Sequence, residues 1–199
     1  MKKSFLTLIL IISALSAGNA QFTEIGGGLA LCSGSKMNLE TGFTYKTGII
    51  GISLKGIYKI SLPLQLSPSI AVFYPNVVNK TFATNGSTEK ATISTMMFDI
   101  NCHYIFNSLD RFEFYGLGGF DILFARSKDA FSGVGAETYK QKDNALGLNL
   151  GAGTYMKINN KLDAFAEAKY VLSNYHQFML NAGVLLNIDW MKKHENTDL

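Results

Sequence analysis

Beyond its first twenty residues, this chain of 199 residues has no apolar run long enough to cross a bilayer as a helix. The run from Phe5 to Leu15 is itself too short to span. It follows Lys2 and Lys3 and gives way to small residues ending at Ala20, the form of a secretory signal peptide with Gly18 and Ala20 at the cleavage positions. No cysteine stands beside that point, so nothing marks a lipid-modified N-terminus. A mature chain with no spanning helix has one way to lie in a membrane, as a closed barrel with every backbone group paired.

Cysteine, histidine and net charge are also scarce. The two cysteines, Cys32 and Cys102, raise the question of a disulfide in an exported chain. The strand reading below places them near opposite ends of a barrel, beyond the roughly 7 Å between Cα atoms that a bridge allows, so both are expected as free thiols. Neither belongs to a Cys/His spacing that would hold a metal, and no cofactor is expected. The formal charge of +3 shrinks once Lys2 and Lys3 leave with the signal, since no acid leaves with them. A near-neutral mature chain gives no case for nucleic acid.

What the sequence does have is alternation. In "ALGLNLGAGTYMKI", residues 145–158, Leu146, Leu148, Leu150, Ala152, Met156 and Ile158 share one side of an extended chain, and Gly147, Asn149, Gly151, Gly153, Tyr155 and Lys157 share the other. The pattern recurs, and strands are predicted at about 22–32, 47–60, 64–73, 91–105, 111–124, 144–158, 162–172 and 176–189. Short turns near 61–63, 106–110, 159–161 and 173–175 contrast with longer polar segments at 33–46, 74–90 and 125–143. The expected fold is all-β, an eight-stranded antiparallel up-and-down transmembrane barrel over residues 21–190, between a signal peptide (1–20) and a short polar tail (191–199). Pro68 lacks a ladder donor, so a bulge or kink is expected near Ser67–Pro68.

Charges keep to one face of these strands. Lys55 opposes Ile52 and Leu54; Asp99 and His103 oppose Phe98, Ile100 and Tyr104; Glu113 and Asp121 oppose Phe112, Phe120 and Ile122; Glu167 and Lys169 oppose Ala166, Ala168 and Tyr170. A soluble lipocalin-like barrel would turn the apolar face inward. Three features favour the reverse: strands long enough to cross about 25 Å of hydrocarbon at a barrel tilt, glycines crowded on the charged face, and aromatics (Tyr58, Tyr104, Phe112, Phe114 and Trp190) near the ends of the apolar face. Pairing across the 159–161 turn sets Gly153 opposite Glu167 and Gly151 opposite Lys169, making room for long side chains in a narrow tube. The lipocalin reading also lacks an early Gly-x-Trp, since the one tryptophan is Trp190.

On these residues the chain resembles the small eight-stranded outer-membrane β-barrels of Gram-negative bacteria, the outer-membrane protein A and X types and the opacity-like barrels of the porin family. The last strand, "NAGVLLNI", is similar to the signal read by the barrel-assembly machinery: Asn181, Gly183, Leu186 and Ile188 stand at its polar, glycine and hydrophobic positions. It departs in being internal, nine residues short of the C-terminus after Trp190. The resemblance implies an outer-membrane location, contact with outer-membrane lipid and a monomer.

Catalytic readings find little support. Ser173 and His176 in "SNYHQF" have no acid nearby in sequence, and the glycines of "EIGGGLAL" and "GLGGF" precede no helix, so no phosphate loop is expected. His103 is expected to pair with Glu113 across the 106–110 turn as a satisfied interior contact. Lys55, Asp99, His103, Glu113, Asp121, Glu167 and Lys169 form the expected luminal network, since unpaired charges in so narrow a space are expensive. The resulting expectation is a non-enzymatic barrel with a filled lumen, whose segments 33–46, 74–90 and 125–143 bind an unidentified surface ligand. A narrow porin-like conduit for small solutes is the alternative.

Overall fold

The computed structural model describes residues 21–38, 44–81, 88–132 and 138–188. Among the described residues ten strands run in order: β1 (Gln21–Cys32), β2 (Lys36–Asn38), β3 (Thr44–Lys46), β4 (Ile50–Ser61), β5 (Leu64–Thr81), β6 (Thr88–Leu109), β7 (Phe112–Ser132), β8 (Thr138–Lys157), β9 (Leu162–Ser173) and β10 (Gln177–Asn187). Eight of them close in the order β1-β10-β9-β8-β7-β6-β5-β4, each antiparallel to its neighbours, while β2 and β3 make a separate small hairpin. The signal-peptide and tail segments, and Trp190 with them, lie outside the described residues.

Alternation decides which way each side chain points. Along β8, Ala145 and Asn149 are buried, whereas Leu146, Leu148 and Leu150 are exposed on the outside of the ring. Leu146 is 74 % exposed and Phe120 68 %, values that water would penalise and hydrocarbon does not. The same belt continues through Leu54, Ile100, Tyr170, Leu180 and Val184. Near its lower end Phe112 and Phe114 stack with centroids 6.3 Å apart, and Tyr104 is exposed beside them in the ladder. Tyr58 faces the same way but is buried beneath Phe22, edge to face at 5.4 Å.

The wall is uneven. Strands β5 to β8 have 18 to 22 residues, and β1, β4, β9 and β10 have 11 or 12. Most of the segments expected as loops at 74–90 and 125–143 are therefore strand. The β6–β7 ladder runs unbroken from Ile105–Tyr115 to Thr88–Ser132, and β7–β8 continues to Ala130–Thr138. Above the belt the outer face of these strands is mostly polar, as are the inward Ser127, Asp129 and Gln141, so composition reads as loop while pairing holds. Residues 33–46 likewise contain the β2–β3 hairpin.

Two irregularities fall elsewhere than expected. Pro68 keeps its register, opposite Ile100, and ladder pairing to β4 resumes unchanged on either side of it. The β5 bulge lies instead between Phe73 and Asn76, around Tyr74–Pro75. The β6–β7 turn is only Asp110–Arg111, with Asp110 in the left-handed conformation (φ 43°) suited to a two-residue hairpin. Residues 107–109, expected within the turn, stay paired in the ladder, with a bulge between Ile105 and Asn107.

Candidate functional site

The bore of the barrel is filled by side chains in three layers. The middle layer is ionic. Lys55, on β4, reaches across to Glu167 on β9 with Nζ 2.5 Å from Oε2, and its ammonium lies 4.7 Å from the centre of the Phe165 ring. Lys169 lies two residues beyond Glu167, on the same face, and makes an ion pair at 2.8 Å with Asp99 of β6. Asp99 also accepts hydrogen bonds from Ser69 Oγ and Asn149 Nδ2, both at 3.0 Å. Asn149 Nδ2 donates as well to Asn101 at 2.9 Å. All four charged residues are buried. Desolvation of such pairs is offset only by close contact and further hydrogen bonds. Asp99 and Glu167 Oε2 accept such bonds, whereas Lys169 Nζ and Glu167 Oε1 have none among the described residues.

An aromatic group adjoins this layer. Tyr115 donates to Glu167 at 3.1 Å, and the His103 ring stacks on Tyr115 with centroids 4.3 Å apart. His103 Nδ1 is 2.6 Å from the Tyr155 hydroxyl, and Nε2 is 3.7 Å from Glu167. Glycines make the space. Gly153 is opposite Glu167 and Gly151 opposite Lys169 in the β8–β9 ladder. A Cβ at Gly153 would run into the Tyr115 hydroxyl, and one at Gly147 into the Asp121 carboxylate.

Apolar layers close the bore on either side. Toward the short turns lie Ile57, Leu117, Phe165 and Leu185 with the two tyrosines. Toward the raised wall lie Phe73, Ile93, Met97, Leu123, Val171 and Met179. Tyr175, in the β9–β10 turn, packs on this outer layer and donates to Asp143 of β8. Burial first, and then the Asp143 carboxylate, push the Tyr175 phenol up to about 12.

Five of the seven expected luminal residues, Lys55, Asp99, His103, Glu167 and Lys169, are thus brought together. Asp121 points into the bore opposite Asp99 in the β6–β7 ladder, but neither of its oxygens has a hydrogen-bond partner among the described residues. Glu113 does not reach His103. The two-residue turn at Asp110–Arg111 sets it opposite Ser108, where it lines a small vestibule of about 140 Å³ at the short-turn end with Glu24, Lys59, Arg111, Lys157 and Asp163. The inward apolar residues were not expected, although Met97 has the same parity as Asp99 and Leu123 the same as Asp121. Of the assembly-signal positions, Asn181 points inward and accepts a hydrogen bond from Ser53 at 2.8 Å, Gly183 and Leu186 are on β10, and Ile188 lies just past it. Ser173 and His176 have separate contacts: Ser173 Oγ accepts from the Tyr175 amide at 3.0 Å, and His176 stacks on Tyr170 at 6.5 Å. Cys32 and Cys102 are free thiols, the first buried and bonded to the Gly48 carbonyl, the second exposed on the belt.

Comparison with known proteins follows the same architecture. A major outer membrane protein from Thermus thermophilus superposes with a TM-score of 0.58 at 11 % identity, over 85 % of this chain and 99 % of that one. Ail, the attachment invasion locus protein of Yersinia pestis, is 18 % identical over 83 % of this chain and 99 % of its own, with a TM-score of 0.45. Neisserial surface protein A is 15 % identical over 85 % and 99 %, also at 0.45. None of the curated proteins compared matches the chain. Residues 4–189 match the outer membrane protein beta-barrel domain, and with that match, the closed eight-stranded ring and its lipid-facing belt, the chain belongs to the outer-membrane β-barrel family of Gram-negative bacteria.

Proposed function

We propose that the protein is a closed, non-enzymatic barrel that anchors a raised, four-stranded wall outside the cell as a binding surface. One observation carries this reading: three layers of side chains fill the bore while β5 to β8 continue well past it. A conduit needs no wall and would not use its interior for buried ion pairs. The binding element is then the sheet formed by residues 74–81, 88–94, 125–132 and 138–144, in place of loops at 74–90 and 125–143. Residues 1–20 serve as the cleaved export signal, and Asn181, Gly183, Leu186 and Ile188 as the assembly signal. The barrel works as a monomer.

Labelling of intact cells tests the orientation on which this rests. In a background with Cys32 and Cys102 replaced by serine, Lys128→Cys should react with a membrane-impermeant maleimide on whole cells. Lys161→Cys, at a short turn, should react only after lysis. The opposite pattern would place the wall in the periplasm and overturn the proposal.

A further inference from the structure

The outer face of the raised wall carries charge of one sign. Above the apolar belt, the outward positions are Tyr74, Val77 and Asn79 on β5, Lys90, Thr92 and Ser94 on β6, Arg126, Lys128 and Ala130 on β7, and Thr138, Lys140, Lys142 and Asn144 on β8. Five are cations, and no carboxylate shares this face among the described residues. The acids of the same strands go the other way: Asp129 is buried and Asp143 half-buried on the inner side.

Register concentrates these charges. Arg126 stands directly opposite Lys142, and Lys128 opposite Lys140, in adjacent rows of the β7–β8 ladder. Like charges facing each other across a ladder destabilise it. Two such rows with no acid between them suit an anion that bridges them.

Height selects the anion. Along β7 the outward residues from Phe112 to Phe124 are apolar or glycine, and the next is Arg126. Twelve residues at about 3.3 Å each and a tilt of about 45° rise roughly 28 Å, close to the ~25 Å apolar band of such barrels. Arg126 and Lys142 therefore lie at the level of the headgroups of the outer leaflet. A groove of about 650 Å³ opens at this level beside the Tyr74–Pro75 bulge. Val72, Met96 and Phe124 supply its apolar part and Arg126 and Lys142 its cationic rim; Asp143 also lines it, with its carboxylate engaged by the Tyr175 hydroxyl.

We infer that this outward face holds a lipid of the outer leaflet whose headgroup carries phosphate. The acyl part lies along Val72, Met96 and Phe124, and the phosphates bridge the Arg126–Lys142 and Lys128–Lys140 rows. The inference rests on the wall standing outside the cell, and it names what that wall binds.

The test measures lipid retention by the refolded full-length mature chain. Native mass spectrometry in neutral detergent would compare lipid A bearing both phosphates, the same lipid with its phosphates removed, inorganic pyrophosphate, and a sulfated oligosaccharide. The phosphorylated lipid should bind best, and binding should weaken as salt rises. Lys140→Gln with Lys142→Gln should weaken it several-fold, and adding Arg126→Gln and Lys128→Gln should bring the loss to about tenfold or more. Lys157→Gln with Lys161→Gln, at the other end of the barrel, should leave it unchanged. Each variant is first shown to be folded by its altered gel mobility before and after boiling. Equal retention of the dephosphorylated lipid, equal loss in the control variant, or tighter binding of pyrophosphate or the sulfated sugar would overturn the inference. The labelling of whole cells is read separately, so a wall shown to face outward but without phosphate selectivity defeats this inference alone.

Discussion

At the scale of single residues, the interior is governed by the cost of a charge without its partner. Lys55 and Glu167 are both buried and in contact at 2.5 Å. Replacing Lys55 with Met takes from Glu167 its one contacting cation, leaving Tyr115 and the His103 ring against it and Lys169 nearby, and should destabilise the barrel by about 3–5 kcal/mol. Lys55→Met combined with Glu167→Gln should cost less than Lys55→Met alone, as measured by urea titration of the protein in vesicles. A loss in the double variant equal to the sum of the two single losses would show the pair to be uncoupled. Gly153 offers a second reading of the same layer. Gly153→Val has no room beside the Tyr115 ring, and overpacking of this kind should cost about 1–3 kcal/mol in the same titration. The glycines opposite Glu167 and Lys169 could be read from the sequence because a short turn fixes that register. The supposed His103–Glu113 contact could not, because the turn falls at Asp110–Arg111, and the ladder then sets His103 opposite Leu117 and Glu113 opposite Ser108.

Strands and turns obey two solvents. Within the belt, alternation separates a lipid face from a filled bore, and each strand is visible in the sequence as a period of two. Arg in place of Leu148 or Val184, both exposed on the belt, should cost about 2–4 kcal/mol if the site is near the midplane, as measured by folding into vesicles. Arg in place of Thr92, on the outer face of the wall, should be close to neutral. A large penalty at Thr92 would mean that the wall too is embedded. Outside the belt the period loses contrast, because Lys128, Ser127 and Asp129 alternate between faces without alternating in polarity. That is why β5 to β8 are longer than hydropathy alone suggests. The prolines show the same limit. Pro68 in the ladder needs only that its missing donor fall where rungs to β4 are absent, whereas the actual bulge at Tyr74–Pro75 marks where the wall leaves the barrel.

For the whole molecule, the closed ladder leaves no partly open form that lipid would tolerate, so unfolding should be slow and all-or-none. The filled bore is a property of many residues at once: an ionic layer between two apolar ones, with the inward aliphatic positions spread over β4, β6, β7, β9 and β10. The ring and its membrane face were open to sequence reasoning because each strand reports on them separately. The layering was not, since it depends on which heights meet across the bore. Single-channel recording of the purified protein in planar bilayers reads whether these layers close the barrel. Near silence is expected across the usual range of voltages, for the native chain and for Arg126→Gln alike. A large, steady conductance from the native protein would contradict it and make the barrel a conduit.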